Sequence, residues 1–103
     1  MVRDLDGLSD MAQAVSDIYA ERFGIDRDAA WYLAKLTEEA GELQAAWLKT
    51  SGRGRGEVDK LALEDEAADL LAMVLLFARW QGIDLPAAMA RKWGRYLPVE
   101  GAA

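Results

Sequence analysis

The sequence predicts an all-α fold arranged as a four-helix bundle. Leu, Ala and Glu, which favour helices, dominate the composition. No segment alternates apolar and polar residues over a length that would indicate a strand. Apolar residues instead recur at spacings of three and four, the pattern of an amphipathic helix. The length of 103 residues fits one domain, expected to cover residues 1–103.

Helix 1 is predicted from about Ser9 to Phe23. Ser9 suits an N-cap, and Gly24 follows the last turn. Helix 2 is predicted from about Asp28 to Lys49, with one apolar face formed by Leu33, Leu36, Ala40, Leu43 and Trp47.

The segment TSGRGRG (50–56) ends helix 2, because its three glycines predict a flexible loop. Its two arginines, Arg53 and Arg55, are interpreted as solubilising charges, with phosphate contact as the alternative.

Helix 3 is predicted to start near Val58 or later and to end at Gln81, before Gly82. Its second half, LLAMVLLFA (70–78), is apolar on all sides, and such a helix is buried on all sides. Three other short helices can hardly enclose it. We therefore expect a homo-oligomer, a dimer or a tetramer, with these residues crossing the contact: Leu71, Leu75 and Leu76.

Helix 4 begins in IDLPAAMARKW, where Asp84 fits an N-cap and Pro86 fits the first turn. Pro98 is expected to close it. Trp80 and Trp93 are expected to pack within the bundle. Other aromatic residues are interpreted as core or interface, with stacking on a base as the alternative: Trp31, Tyr32 and Trp47.

Composition excludes several functions. With 12 basic and 18 acidic residues the net charge is −6, which disfavours nucleic acid as a partner. There is no cysteine or histidine, so thiol and imidazole chemistry are excluded and any metal must be hard and oxygen-bound, Mg²⁺ or Mn²⁺. The start lacks the pattern of a signal peptide, and the longest apolar run is far shorter than a membrane span of roughly 20 residues. A cytoplasmic protein without a membrane partner is expected.

Two acidic clusters lie beside the apolar faces. On helix 2, centred on Leu36, Glu39 lies about 60° from the centre of that face, Glu42 about 120° and Glu38 about 160°, all on one side. On helix 3, centred on Leu63, Glu66 lies about 60° and Asp69 about 120° from the centre of the apolar face, again both on one side. Antiparallel packing through these faces would bring Glu39, Glu42, Glu66 and Asp69 together.

These acids could also be ordinary surface charge, which is how we interpret Glu64 and Asp65. Three features favour a cation site instead. The acids border the apolar face, they lack basic partners four residues on, and the pattern occurs twice. Four adjacent carboxylates raise one another's pKa values, and a divalent cation removes that conflict.

The acidic motifs also carry a family resemblance. EEAGE (38–42) matches E-E-x-x-E and EAAD (66–69) matches E-x-x-D, with 23 residues between them. This combination resembles the MazG-like, all-α nucleoside triphosphate pyrophosphohydrolases, over about residues 30–97. The resemblance implies hydrolysis of a (d)NTP to the (d)NMP and pyrophosphate by metal-activated water, with Mg²⁺ as the cofactor.

The resemblance further implies a role for each residue. The metal ligands would be Glu39, Glu42, Glu66 and Asp69, and Glu38 would position or activate the attacking water. MARKWGRYLP (89–98) resembles the family's basic segment, in which Lys92 and Arg95 would contact phosphate.

Two alternatives stay open. DEAADLL (65–71) and ARWQGIDL (78–85) are similar to the related phosphoribosyl-ATP pyrophosphohydrolases, which break the same type of bond. A catalytically silent dimerisation or nucleotide-sensing module could also keep the fold.

Overall fold

The computed structural model describes residues 1–54 and 60–98, and these contain four α-helices and no strand. The helices are α1 (Leu5–Phe23), α2 (Ala29–Thr50), α3 (Lys60–Gln81) and α4 (Leu85–Lys92), followed by a 3-10 helix (Gly94–Tyr96). The predicted all-α class is confirmed. Arg55 and the predicted start of helix 3 near Val58 lie outside the described residues.

The start of α1 differs from the prediction. The helix begins at Leu5, after Asp4, whose carbonyl accepts the N–H of Leu8 at 3.0 Å. Ser9 does not cap it; its hydroxyl instead accepts a hydrogen bond from Arg79 of α3 at 3.2 Å. A local sequence pattern does not distinguish a serine that caps a helix from one that contacts a neighbouring helix.

The other helix ends follow side-chain chemistry closely. Asp28 caps α2 by accepting the N–H of Trp31 at 2.8 Å, and Asp84 caps α4 by accepting the N–H of Ala87 at 3.0 Å. Gly24 and Gly82 end α1 and α3 with φ of 63° and 67°, a conformation that glycine adopts without strain. The prediction that Pro98 closes helix 4 is wrong, because α4 ends at Lys92 and passes into the 3-10 helix.

α2 and α3 form an antiparallel pair, and α1 packs against α3. The buried apolar residues are Tyr32, Leu75, Leu76 and Ala78. Leu75 and Leu76 are 3% and 2% exposed in the single chain, so the prediction that they cross an oligomer contact is wrong. The third residue of that set, Leu71, is 44% exposed.

The C-terminal segment, residues 80–97, leaves large apolar side chains uncovered. α4 contacts mainly the 3-10 helix, and Trp93 is 64% exposed. The ring of Trp80 lies 5.9 Å from that of Tyr32, but its side chain is also largely exposed. The prediction that Trp93 packs within the bundle is therefore wrong for the single chain. The radius of gyration is 16.9 Å, against about 13 Å for a compact domain of this length.

None of the described helices combines the length and apolar character that crossing a membrane requires.

Candidate metal centre

The acidic residues of α2 and α3 meet where the two helices face each other. One carboxylate oxygen from each of Glu39, Glu66 and Asp69 lies within 4.8 Å of the other two. Glu38, Glu39 and Glu42 meet the same limit. Because Glu39 belongs to both groups, its carboxylate is the centre of the cluster. The structure thus brings together the five acids that the sequence singled out.

Two oxygen atoms of this cluster are buried without a partner. Glu39 is only 8% exposed, and its Oε2 atom, like that of Glu66, has no hydrogen-bond donor among the described residues. Leaving a buried acceptor unpaired costs about 1–3 kcal/mol, and more when it is charged. A hard divalent cation takes several carboxylate oxygens as ligands. The all-oxygen donor set and its two buried, unpaired oxygens both fit Mg²⁺ or Mn²⁺.

The pKa values show the same excess of negative charge. Burial, and then the neighbouring Glu42 carboxylate, raise the pKa of Glu39 from 4.5 to about 7. The charge of Asp69 adds to this rise, while Lys35 opposes it. Burial and Glu42 also raise the pKa of Glu66. The cluster therefore resists full ionisation unless positive charge is added.

Lys35 is the basic residue nearest to this cluster among the described side chains. Its ammonium forms an ion pair with Glu38 at 3.1 Å, one turn before the centre of the cluster. Its side chain is 30% exposed and lines the same cleft as Glu39. The ammonium group of Lys35 can therefore contact both the carboxylates and an anionic ligand in the cleft.

The carboxylates open into a cleft between α1, α2 and α3. Its volume is about 600 Å³, which lies within the range of about 300–1,000 Å³ for small-molecule sites. Glu39 and Asp69 line it, and its other walls are mainly apolar. The arrangement therefore joins an acidic, cation-binding centre to an apolar pocket of ligand size.

The two predicted phosphate contacts lie elsewhere in the single chain. Lys92 ends α4 and Arg95 lies in the 3-10 helix, both exposed, and neither lines the cleft. Arg95 donates to the hydroxyl of Tyr96 at 2.6 Å, and its guanidinium lies 4.7 Å from the centre of that ring. Phosphate contact by these residues stays a prediction.

The model of the MazG nucleotide pyrophosphohydrolase domain matches residues 27–95, which is 69 of the 103 residues. The chain belongs to the MazG family. The match includes both acidic motifs and the basic segment as far as Arg95. No individual curated protein and no solved structure matches the chain.

Membership of the MazG family agrees with the helical architecture and with nucleotide pyrophosphohydrolase activity. The sequence interpretation did not single out two polar residues of the cleft, Lys35 and Arg27. Lys35 had a signal, since it lies four residues before Glu39 on the same face of α2. Arg27 had none, because its place in the cleft depends on how α1 packs.

The raised pKa of Glu39 predicts how the stability of this MazG domain depends on pH without metal. The pKa of Glu39 is higher in the folded than in the unfolded chain. Its contribution to stability is therefore fully present below pH 4.5 and is lost as the pH rises through about 7. We expect the metal-free chain to melt at a lower temperature at pH 8 than at pH 5. The raised pKa corresponds to a loss of at most roughly 3 kcal/mol in the free energy of unfolding.

Thermal unfolding in a chelator, with Glu39→Gln and the exposed control Glu64→Gln, tests this expectation. Glu39→Gln should flatten the pH dependence between pH 5 and 8, and Glu64→Gln should leave it unchanged. Mg²⁺ should restore more stability at pH 8, where the ligands are ionised. Equal pH slopes for the native chain and Glu39→Gln would contradict the assignment.

Proposed function

We propose that this chain is a Mg²⁺-dependent nucleotide pyrophosphohydrolase that converts a (d)NTP to the (d)NMP and pyrophosphate. The observation that carries the proposal is the carboxylate cluster, with its two buried, unpaired oxygens at the edge of an apolar cleft. Membership of the MazG family supports the reaction class. Mn²⁺ is the alternative metal, and a cytoplasmic location stays a prediction.

The five acids divide into two roles. Four of them form the metal-binding set: Glu39, Glu42, Glu66 and Asp69. We assign to Glu38 the task of orienting a water and accepting its proton. Its exposure and its fixed position beside Lys35 support that role. Mg²⁺ bound at this set would neutralise phosphate charge and make a water more acidic.

Binding the substrate's phosphates requires basic side chains, and a single copy of the chain has few of them close to the carboxylates. Lys35 is close, whereas Lys92 and Arg95 lie in the C-terminal segment. We assign phosphate contact to Lys92 and Arg95 within an oligomer, a dimer or a tetramer, in which this segment packs against a second copy. The large exposed apolar side chains of the segment support such an assembly.

The products should identify the bond that breaks. Water forms a new bond to one of the two phosphorus atoms of the α–β bridge, and the bond from that phosphorus to the bridging oxygen breaks, so that monophosphate and pyrophosphate separate. Phosphorus NMR of a reaction with Mg²⁺ is expected to show monophosphate and pyrophosphate from the earliest time points. Orthophosphate appearing with a diphosphate would contradict the proposed regiochemistry.

A nucleotide panel also separates the alternatives. Phosphoribosyl-ATP as the one compound hydrolysed would favour the related biosynthetic activity, which breaks the same type of bond. Nucleotide binding without pyrophosphate release would favour a silent sensing module. The intact set of five acids argues for an active enzyme, since a silent module has no need for buried, unpaired carboxylate oxygens.

A further inference from the structure

The cleft extends from the carboxylate cluster towards the start of α2, and three side chains on one face of that helix line it. Trp31, Lys35 and Glu39 are spaced by four residues, so they share one face of the helix. All three line the cleft. At 1.5 Å per residue, Lys35 is about 6 Å and Trp31 about 12 Å along the helix axis from Glu39. Arg27 lines the cleft beyond Trp31.

This order corresponds to the parts of a nucleotide. The carboxylates and the ammonium group suit the metal and phosphates, and an aromatic ring suits the base. Trp31 is held in place, because it packs edge-on against Tyr32, with ring centres 5.2 Å apart. Tyr32 is 2% exposed and contacts Trp80 on α3. Trp47, the third aromatic residue considered for stacking, does not line this cleft.

Arg27 is anchored through one end of its guanidinium. Its Nη1 donates to Ser16 Oγ and to Asp17 Oδ1, both at 2.8 Å. Asp17 also accepts from Gln13 at 2.7 Å, which fixes the ion pair. The Arg27 side chain is 21% exposed. An arginine has five N–H donors, so three of them, on Nε and Nη2, have no partner among the described residues.

We propose that this cleft holds the base and sugar of the substrate and that Arg27 selects 6-oxopurine nucleotides. The inference rests on the proposed function of the neighbouring carboxylates. Arg27 can only donate hydrogen bonds, so it complements a base edge that presents only acceptors. Guanine and hypoxanthine present O6 and N7 side by side, whereas adenine presents a donor at N6.

Binding of product monophosphates without metal tests the inference separately from catalysis. Calorimetry in EDTA is expected to show that IMP and GMP bind the native chain roughly tenfold or more tightly than AMP. Arg27→Lys keeps the positive charge and the ion pair with Asp17 but loses the paired donors. It is expected to bring the three affinities together without changing the melting temperature. Arg22→Lys, exposed at the end of α1, is the control and should keep the preference.

The outcomes distinguish this inference from the proposed function. Pyrophosphate release from ITP and ATP at equal kcat/KM, with no preference among the monophosphates, overturns the inference and leaves the function intact. A preference for IMP without any pyrophosphate release supports the cleft assignment and removes the function. Failure of all three monophosphates to bind, as expected if a second copy fills the cleft, also overturns the inference. A preference that survives in Arg27→Lys overturns the role of Arg27.

Discussion

Replacing Glu42 or Asp69 with alanine is expected to abolish pyrophosphate release and to weaken Mg²⁺ binding. Both carboxylates are exposed members of the cluster, so their removal leaves no cavity in the core. Changes in residues that merely support a metal ligand cost 10–100-fold in affinity or activity. Loss of a ligand should therefore exceed about a hundredfold.

Without metal, the same variants should be folded and as stable as the native chain or more so. The reason is that Glu42 raises the pKa of both Glu39 and Glu66, and Asp69 adds to both shifts. Removing either charge relieves that repulsion. Calorimetric titration with Mg²⁺ and thermal unfolding in a chelator measure the two effects.

Glu64→Ala is the matched control, because Glu64 is an exposed acid on α3 that belongs to neither carboxylate group. It should keep both Mg²⁺ affinity and activity. Unchanged Mg²⁺ affinity in both Glu42→Ala and Asp69→Ala would refute the metal centre.

The carboxylate cluster was predictable because it depends on helical periodicity. Glu39 and Glu42 occupy the margin of one apolar face, and Glu66 and Asp69 occupy the matching margin of another. Once two such helices pack antiparallel, their margins meet, whatever the rest of the fold does. The ends of α1 and α3 at Gly24 and Gly82 were also predictable, because glycine readily adopts the left-handed conformation that ends a helix.

The features that sequence reasoning missed depend on tertiary packing. Leu75 and Leu76 were expected to face a second copy, but the packing of α3 with α1 and α2 buries them within the chain. Arg27 lies before α2, and its ion pair with Asp17 exists only because α1 lies alongside. No spacing along the chain encodes the angle at which α1 crosses the α2–α3 pair.

The C-terminal segment, residues 80–97, provides a different argument for a second copy. Six large apolar side chains in it are between 43% and 71% exposed: Trp80, Ile83, Met89, Trp93, Tyr96 and Leu97. Full burial of such a side chain is worth roughly 1.5–3 kcal/mol. Six of them together represent a free energy comparable to the whole stability of a small domain, about 5–15 kcal/mol.

Charge favours another copy of this chain as the partner of that segment. Residues 80–97 carry three basic residues, Arg91, Lys92 and Arg95, and one acid, Asp84, whereas the whole chain has a net charge of −6. The basic segment of one copy therefore complements the acidic surface of another. An isologous contact satisfies both copies at once.

The native chain is expected to sediment as a dimer or larger, at twice 11.3 kDa or more, at micromolar concentration. Trp93→Ala should weaken self-association by roughly 30-fold or more, because a tryptophan at the centre of an interface contributes about 2 kcal/mol or more. Phe23→Ala is the matched control: Phe23 is 63% exposed, close to the 64% of Trp93, but lies at the end of α1.

Sedimentation velocity over a dilution series separates the possible contacts. If the C-terminal segment forms the contact, Trp93→Ala dissociates at higher concentration than the native chain, and Phe23→Ala behaves like the native chain. Weakening by Phe23→Ala alone would instead place the contact on α1. A compact 11.3 kDa species at micromolar concentration would refute self-association altogether, because the exposed apolar side chains would then face water in the functional protein.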